Sequence, residues 1–310
     1  MTTGIRPLVV SVPGEELAAD LQPLPPGVEV IRWDMDSPAP RNEIDIVVPP
    51  YMSASVIMPR LADVRTRLVQ GQSIGYEGIA DHLPPAHVFA NAASVHEAST
   101  AELAVALTLA AQRHLPDFVR AQGEHRWAAQ FTQSLADRRV LLLGFGGVGK
   151  AIAARLAGFE VDITAVASRA RVEDGMPVHG VDELADLLPS AEIVIASLPG
   201  GASTRGIVDD AFLTALPDRA LIVNVGRGSL VDTDALVDHL QRGRVRAALD
   251  VTDPEPLPAD HPLWSAPGTL IVPHVGGATS AMRPRIARLV RRQIERMLAG
   301  DEPVNVVIRS

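Results

Sequence analysis

The chain has no cysteine in 310 residues. Disulfides and thiolate metal sites are thereby excluded, and the composition fits a reducing compartment. No apolar run approaches the ~18 residues that a membrane-spanning helix needs. The start, Met1-Thr-Thr-Gly-Ile-Arg-Pro, lacks a basic segment leading into an apolar core with a small-residue cleavage site, so no secretory signal is expected. These absences point to a cytoplasmic protein without a membrane partner. Positive charge is also short: 28 Lys+Arg stand against 37 Asp+Glu, a net charge of −9. A phosphate backbone rewards a basic surface, so nucleic acid is excluded as a main partner. The nine histidines include no H-x-x-x-H or H-E-x-x-H spacing, and no metal site is expected.

What the chain does have is length and apolar content. With 47 % hydrophobic residues it can fill two domain cores. Apolar runs alternate with helical patterns throughout, the signature of βαβ units and a parallel sheet. Strands are expected at 8–12, 28–31, 45–48, 67–70 and 88–90. A second series is expected at 139–144, 161–167, 193–197, 221–224, 246–249 and 270–272. Between the two series, Ser99-Thr-Ala-Glu102 reads as a capping box opening a helix over 102–113. That helix is Ala- and Leu-rich around most of its circumference, which predicts burial on several sides, between domains or against a second subunit. A closing helix over 282–299 should end at Gly300, a residue suited to a left-handed cap. Its arginines (Arg283, Arg285, Arg288, Arg291, Arg292, Arg296) read as a solvated face opposite a stripe of Ile286, Leu289, Val290, Ile294, Met297 and Leu298.

Gly144-Phe-Gly146-Gly147-Val148-Gly149 fits G-x-G-x-x-G, a weak pattern by itself. Here an apolar strand precedes it and a helix over 148–156 follows. Glycines in that setting permit a tight turn and close backbone approach to a pyrophosphate at the helix N-terminus. The end of the next strand selects the dinucleotide. An NAD site places Asp or Glu there to accept from the ribose 2′-hydroxyl. This chain has Ser168-Arg169-Ala170-Arg171 instead, a hydroxyl and two guanidiniums that suit a 2′-phosphate. The spacing favours NADP(H), while nearby Glu173 leaves NAD(H) open.

Three residues each follow a strand-like run: Arg227 in Asn224-Val-Gly-Arg-Gly228, Glu255 in Asp250-Val-Thr-Asp-Pro-Glu-Pro256, and His274 in Val272-Pro-His-Val-Gly-Gly277. Parallel strands direct their carboxyl ends at one crevice, so a cation, a carboxylate and an imidazole should converge. Hydride transfer to a 2-oxo acid needs a cation for the carboxylate and carbonyl, and an acid for the forming alkoxide. Arg227 can supply the first and His274 the second, with Glu255 favouring the imidazolium.

On these motifs the chain resembles the D-isomer-specific 2-hydroxyacid dehydrogenases. The resemblance runs from Ser73-Ile74-Gly75 to Asn305-Val-Val307. It implies an α/β fold of two Rossmann-like, flavodoxin-like domains with parallel sheets, and a cleft between them that closes on substrate. The substrate-binding domain would be discontinuous, 1–97 plus 283–310, and the NAD(P)-binding domain would be 98–282. It implies Arg227 as the carboxylate and carbonyl ligand, and Glu255 with His274 as the acid/base pair. It further implies that Leu198, Pro199, Thr204, Val225, Gly226, Asp250 and Gly277 line the cofactor, and that the Ile74 and Gly75 amides meet the substrate carboxylate. Thr252-Asp253 and Gly276-Gly277 depart from the family's common Phe-Glu and Ala-Gly. A homodimer through the cofactor domain is implied as well.

Within that resemblance, glyoxylate or hydroxypyruvate reduction is the expected activity, because NADPH suits the reductive direction. Formate dehydrogenase carries Gln where Glu255 stands, and the long phosphoglycerate dehydrogenases carry a further regulatory domain. A phosphite dehydrogenase shares the Arg–Glu–His set. A non-catalytic dinucleotide-sensing protein similar to the transcriptional corepressors would keep the glycine loop but need no turnover.

Overall fold

The computed structural model describes residues 6–52 and 54–310. The reading of residues 1–5 made from the sequence lies outside the described residues. The chain divides into two compact units, Met1–His96 with Thr279–Ser310, and Glu97–Ala278. The sequence reading had put the divisions at 97/98 and 282/283.

The first unit holds a six-stranded sheet. Its strands β1 (Leu8–Val12), β2 (Val28–Arg32), β3 (Ile46–Val47), β4 (Leu68–Gln70) and β5 (Val88–Ala90) are parallel. The C-terminal strand Val306–Arg309 closes the β5 edge in the antiparallel sense. Alternate residues serve opposite faces: Leu8, Val10 and Val12 enter one core with Ile286, Val290 and Ile294 of the helix Met282–Ala299. Val9 enters the other with Trp33 and Met58. That helix ends as expected, with Gly300 at φ 79°. Its apolar stripe is one residue narrower than expected, since Leu298 is exposed. The arginines are also less idle than a solvated face: Arg291 donates to the carbonyls of Asp20, Leu21 and Gln22, capping the C-terminal end of the helix Glu15–Asp20.

The second unit holds eight strands: β6 (Arg139–Leu143), β7 (Asp162–Ala167), β8 (Arg171–Glu173), β9 (Met176–Gly180), β10 (Ile193–Ala196), β11 (Ala220–Asn224), β12 (Val245–Leu249) and β13 (Thr269–Ile271). Their order across the sheet is β13-β12-β11-β10-β6-β7-β9-β8, parallel except for β8. Leu141 and Leu143 of β6 pack with Phe212, Leu213 and Leu236 on one face. Val140 and Leu142 pack with Ala101, Ala104 and Ile152 on the other. Helices therefore cover both faces, and the strand order turns back between β6 and β10. A ligand crevice forms at such a switch point, outside the carboxyl ends of the strands.

Two expectations are corrected here. The helix of the supposed capping box runs Glu97–Gln112, so Ser99 lies inside its first turn, buried, and is not its cap. Apolar packing of Ala101, Ala104 and Leu107 against the sheet carries the helix past the local start signal. The segment after β7, where no strand was expected before 193–197, is the hairpin β8–β9, turned by Asp174-Gly175 with both residues at positive φ. Among the described residues, no helix is long and apolar enough to cross a membrane, and no group of His, Asp and Glu could hold a metal ion.

Candidate active site

The site is assembled from the ends of β6, β10, β11, β12 and β13. After β6 the chain enters the glycine loop. Gly144 has φ 110°, and a side-chain carbon there would come within 3.0–3.1 Å of Ser197 and Leu198. A Cβ on Gly149 would overlap the Gly144 carbonyl, so the helix Gly147–Leu156 can start this close to β6 only with glycine. Gly146 differs: it is exposed, and a Cβ there would meet nothing within 4 Å. Packing needs glycine at 144 and 149, whereas the opening at 146 leaves backbone free for an anion at the helix N-terminus. A dinucleotide pyrophosphate fits that cradle. Gly147 is likewise exposed, while Val148 tucks partly into the core beneath the helix.

The strip Leu198-Pro199 follows β10. A Cβ on Gly226 would stand 2.6 Å from the Leu198 carbonyl oxygen, so these two segments are in close contact. Thr204 donates from Oγ1 to the Pro199 carbonyl at 2.8 Å and closes the loop. Val225 is buried beside them. Ser168 and Arg169 lie exposed past β7. Arg171, at the start of β8, donates from Nη2 to the Phe145 carbonyl of the glycine loop at 3.1 Å and from Nε to Glu173 at 2.6 Å. Glu173 also accepts from Lys150 of the following helix, and these two cations hold its carboxyl below the usual range. An acid so engaged is not free to take ribose hydroxyls.

Arg227 projects from the turn after β11. The turn is fixed by Asn224, fully buried, whose Oδ1 accepts from Gly226 N at 3.0 Å and whose Nδ2 donates to the Arg227 carbonyl at 2.8 Å. Arg227 donates from Nη1 to the Gly226 carbonyl at 2.7 Å. Next in the chain, a Cβ on Gly228 would overlap the Thr252 carbonyl, so the Arg227 turn seats directly on the loop carrying Glu255. Thr233 ties that loop again, donating to the Asp253 carbonyl at 2.6 Å.

His274 follows β13 with φ 51°, a left-handed backbone that a histidine rarely adopts without support. The support comes from the end of β12. Asp250 accepts His274 N on its carbonyl at 2.8 Å, and its buried carboxylate accepts Val275 N at 2.7 Å and Gly276 N at 3.0 Å. Burial raises the Asp250 carboxyl above its ordinary range, while these amides and His274 oppose the rise. Held this way, His274 Nδ1 lies 2.5 Å from Glu255 Oε1. The hydrogen bond that His274 donates to Glu255 raises the imidazole pKa, and burial and Arg227 pull the other way. Glu255 is correspondingly lowered, first by the His274 bond, with a smaller contribution from Arg227. A charged imidazolium facing Arg227 across a carboxylate-backed turn can deliver a proton beside a bound anion. Gly277 is half-buried at the end of the same turn.

A sequence model of the D-isomer specific 2-hydroxyacid dehydrogenase NAD binding domain matches residues 105–276, more than half of the chain. The chain belongs to that family. It is similar to the mouse glyoxylate reductase/hydroxypyruvate reductase, 28 % identical and covering 88 % of this chain and 89 % of the relative. Among solved structures it is similar to the NADPH-dependent glyoxylate/hydroxypyruvate reductase of Sinorhizobium meliloti in complex with NADP and malonate. The two are 29 % identical with TM-score 0.79, and the match covers 98 % of each chain. It is also similar to a D-isomer specific 2-hydroxyacid dehydrogenase of Xanthobacter autotrophicus in complex with NADPH and MES. That match has 27 % identity and TM-score 0.80, over 98 % of this chain and 99 % of the other. The chain is thus an NAD(P)-binding oxidoreductase of the 2-hydroxyacid dehydrogenase type.

For such a dehydrogenase, three contributions went unseen in the sequence. Asn224 was read only as part of a motif, although a buried Asn two residues before a glycine is an Asx-turn signal. Asp250 was expected against the cofactor, and its carboxylate also holds the backbone that carries His274. Lys150 and Glu173 were not linked, because their contact crosses from the helix to the hairpin turned by Asp174-Gly175. Ile74 and Gly75 belong to the other compact unit, where the Ile74 carbonyl accepts from Asn91 Nδ2 at 2.8 Å.

Proposed function

We propose that this dehydrogenase reduces small 2-oxo acids, glyoxylate and hydroxypyruvate, to the corresponding hydroxy acids (the D-isomer where the carbon is chiral), with NADPH. The observation that carries the reading is the 2.5 Å His274–Glu255 hydrogen bond beside Arg227. A dinucleotide held by the glycine loop Gly144–Gly149 would supply a hydride for the carbonyl carbon. Arg227 binds the substrate carboxylate and polarises the carbonyl through its planar fork. His274, kept protonated by Glu255, gives its proton to the carbonyl oxygen as that oxygen becomes a hydroxyl. Asp250 and Asn224 act through these residues by fixing the two turns. The unit that contains Ile74 and Gly75 serves as the substrate-binding domain, with their backbone amides as its carboxylate donors.

NADPH is the reading for the cofactor because Ser168, Arg169 and Arg171 follow β7 and the nearest acid, Glu173, is already paired with Lys150 and Arg171. The relatives named above that bound NADP(H) support it. Glyoxylate and hydroxypyruvate rest on the names of the relatives. The chain also acts as a homodimer: after the helix Leu115–Gly123, Trp127 and Phe131 expose essentially their whole side chains, with Val119 exposed beside them in sequence. Apolar surface of that kind marks an interface. A panel of 2-oxo acids mixed with protein and NADPH, followed by nicotinamide absorbance, tests the activity. Turnover of glyoxylate and hydroxypyruvate supports it, and oxidation of phosphite with no turnover of any 2-oxo acid overturns it.

A further inference from the structure

The loop 71–75 leaves the carboxyl end of β4, which lies between β3 and β5 in the first unit's sheet. Four successive carbonyls of this loop are occupied by donors of the same unit. Gln70 Nε2 donates to Gly71 at 2.9 Å and His96 Nε2 to Gln72 at 2.6 Å. Ala92 N donates to Ser73 at 2.9 Å and Asn91 Nδ2 to Ile74 at 2.8 Å. None of these peptide bonds is cis. In a trans peptide unit the N–H points opposite to the C=O. The Ser73 and Ile74 carbonyls both face the segment after β5, so the Ile74 and Gly75 amides are both turned away from it. Two successive N–H groups aimed alike make a cradle for an anion.

Asn91 is the side chain that sets the last of these carbonyls, and it is itself held on every side. It is buried, and its Oδ1 accepts Ala93 N at 3.2 Å while its Nδ2 serves Ile74. Only an amide can accept at one atom and donate at the other, and here the two partners fix which is which. Its backbone N donates to the Asn305 carbonyl at 3.0 Å, and its carbonyl accepts Gln70 Nε2 at 3.0 Å. Gln70 Oε1 in turn accepts Gln293 Nε2 of the helix Met282–Ala299 at 2.7 Å. Asn305 Nδ2 donates to the Ala93 carbonyl at 2.9 Å. Buried amides that satisfy one another in this way hold a single geometry.

We infer that Asn91 is a positioning residue for the substrate: through the Ile74 carbonyl it orients the Ile74 and Gly75 amides toward the carboxylate of the 2-oxo acid. The inference rests on the reading of those amides as carboxylate donors. The carboxylate keeps its charge while the neighbouring carbonyl is reduced, so a contact to it is equally strong before and during hydride transfer. Loss of such a contact appears in KM and leaves kcat nearly unchanged. Loss of the proton donor His274 falls on kcat instead.

The test is steady-state reduction of glyoxylate by the full chain at saturating NADPH, with oxalate as a carboxylate inhibitor that cannot be reduced. Asn91→Asp keeps the shape and the acceptor for Ala93 but sets an oxygen against the Ile74 carbonyl. Asn91→Leu keeps the shape with neither donor nor acceptor, and carries no charge. Both should raise the KM for glyoxylate and the inhibition constant of oxalate about tenfold or more, as loss of one hydrogen bond to a charged group does. NADPH affinity should stay at the wild-type value, and kcat within about threefold of it. Val290→Ala opens a cavity in the same unit's core without touching the loop, so it should lower Tm and leave KM in place. Should the Asn91 variants fail to fold, Asn305→Gly removes the donor to Ala93, suits the left-handed φ of 59° there, and should raise KM several-fold. Wild-type KM in the variants that fold, or a KM rise in Val290→Ala equal to theirs, overturns the inference while wild-type turnover upholds the dehydrogenase reading. A wild-type chain that reduces no 2-oxo acid overturns that reading and the inference with it.

Discussion

Gly146 and Gly149 occupy the same loop but need glycine for different reasons, and alanine at each separates ligand from packing. At Gly146 the backbone is extended, φ −89° and ψ −158°, and a Cβ meets nothing within 4 Å. Gly146→Ala should therefore change stability by no more than ~0.5 kcal/mol, or raise it slightly through the unfolded chain. The new methyl would instead stand in the approach to the dinucleotide pyrophosphate. Overpacking of that kind costs ~1–3 kcal/mol, equivalent to ~5–150-fold in NADPH affinity. At Gly149 the methyl overlaps the Gly144 carbonyl oxygen and reaches within 3.0 Å of its carbon. The helix must shift away from β6, so the same ~1–3 kcal/mol falls on folding. For a unit the size of residues 97–278 that lowers Tm by ~2–12 °C. Thermal denaturation without cofactor, together with NADPH titration by nicotinamide fluorescence, reads both effects. Wild-type NADPH affinity in Gly146→Ala, or a Tm loss matching that of Gly149→Ala, would refute the reasoning.

Glu255→Gln removes the anion that raises the His274 pKa, so the pH at which reduction falls off should move down while low-pH activity partly survives. A pH–rate profile that stays in place would show the pair to be uncoupled. Arg171→Ala removes a guanidinium held at the glycine loop and should weaken NADPH by ~10–150-fold, equivalent to ~1.5–3 kcal/mol, with little effect on NADH. Equal losses for the two cofactors contradict a 2′-phosphate contact. Trp127→Ala combined with Phe131→Ala should shift the chain toward monomer in sedimentation at micromolar concentration, and a wild-type chain that is monomeric there contradicts the dimer.

The strands of both sheets other than β8, β9 and the C-terminal Val306–Arg309, and the ends of β11, β12 and β13, were legible in the sequence because buried parallel strands are continuous apolar runs. The residues just past them are few and chemically distinctive, which is why Arg227, Glu255 and His274 stood out. The helix start at Glu97 was not legible. Ser99 offers a good local cap, and only the packing of Ala101 and Ala104 overrides it. The hairpin β8–β9 was not legible although Asp174-Gly175 is a type I′ turn signal, because the three residues Arg171–Glu173 are too few and too polar to show a strand pattern. The left-handed His274 and its support by Asp250 depend on contacts across 24 residues of chain, which no local pattern encodes. The same holds for Arg246, whose partners Gln112 and Gln133 lie more than a hundred residues away.

The most direct test of the central claim is steady-state oxidation of NADPH by glyoxylate, comparing the wild-type chain with His274→Ala. Wild-type turnover should be saturable. The variant should bind NADPH normally while kcat falls by at least the ~10²–10⁴ typical of a lost general acid. A variant that keeps wild-type turnover would contradict the proton-donor role of His274 and with it the mechanism.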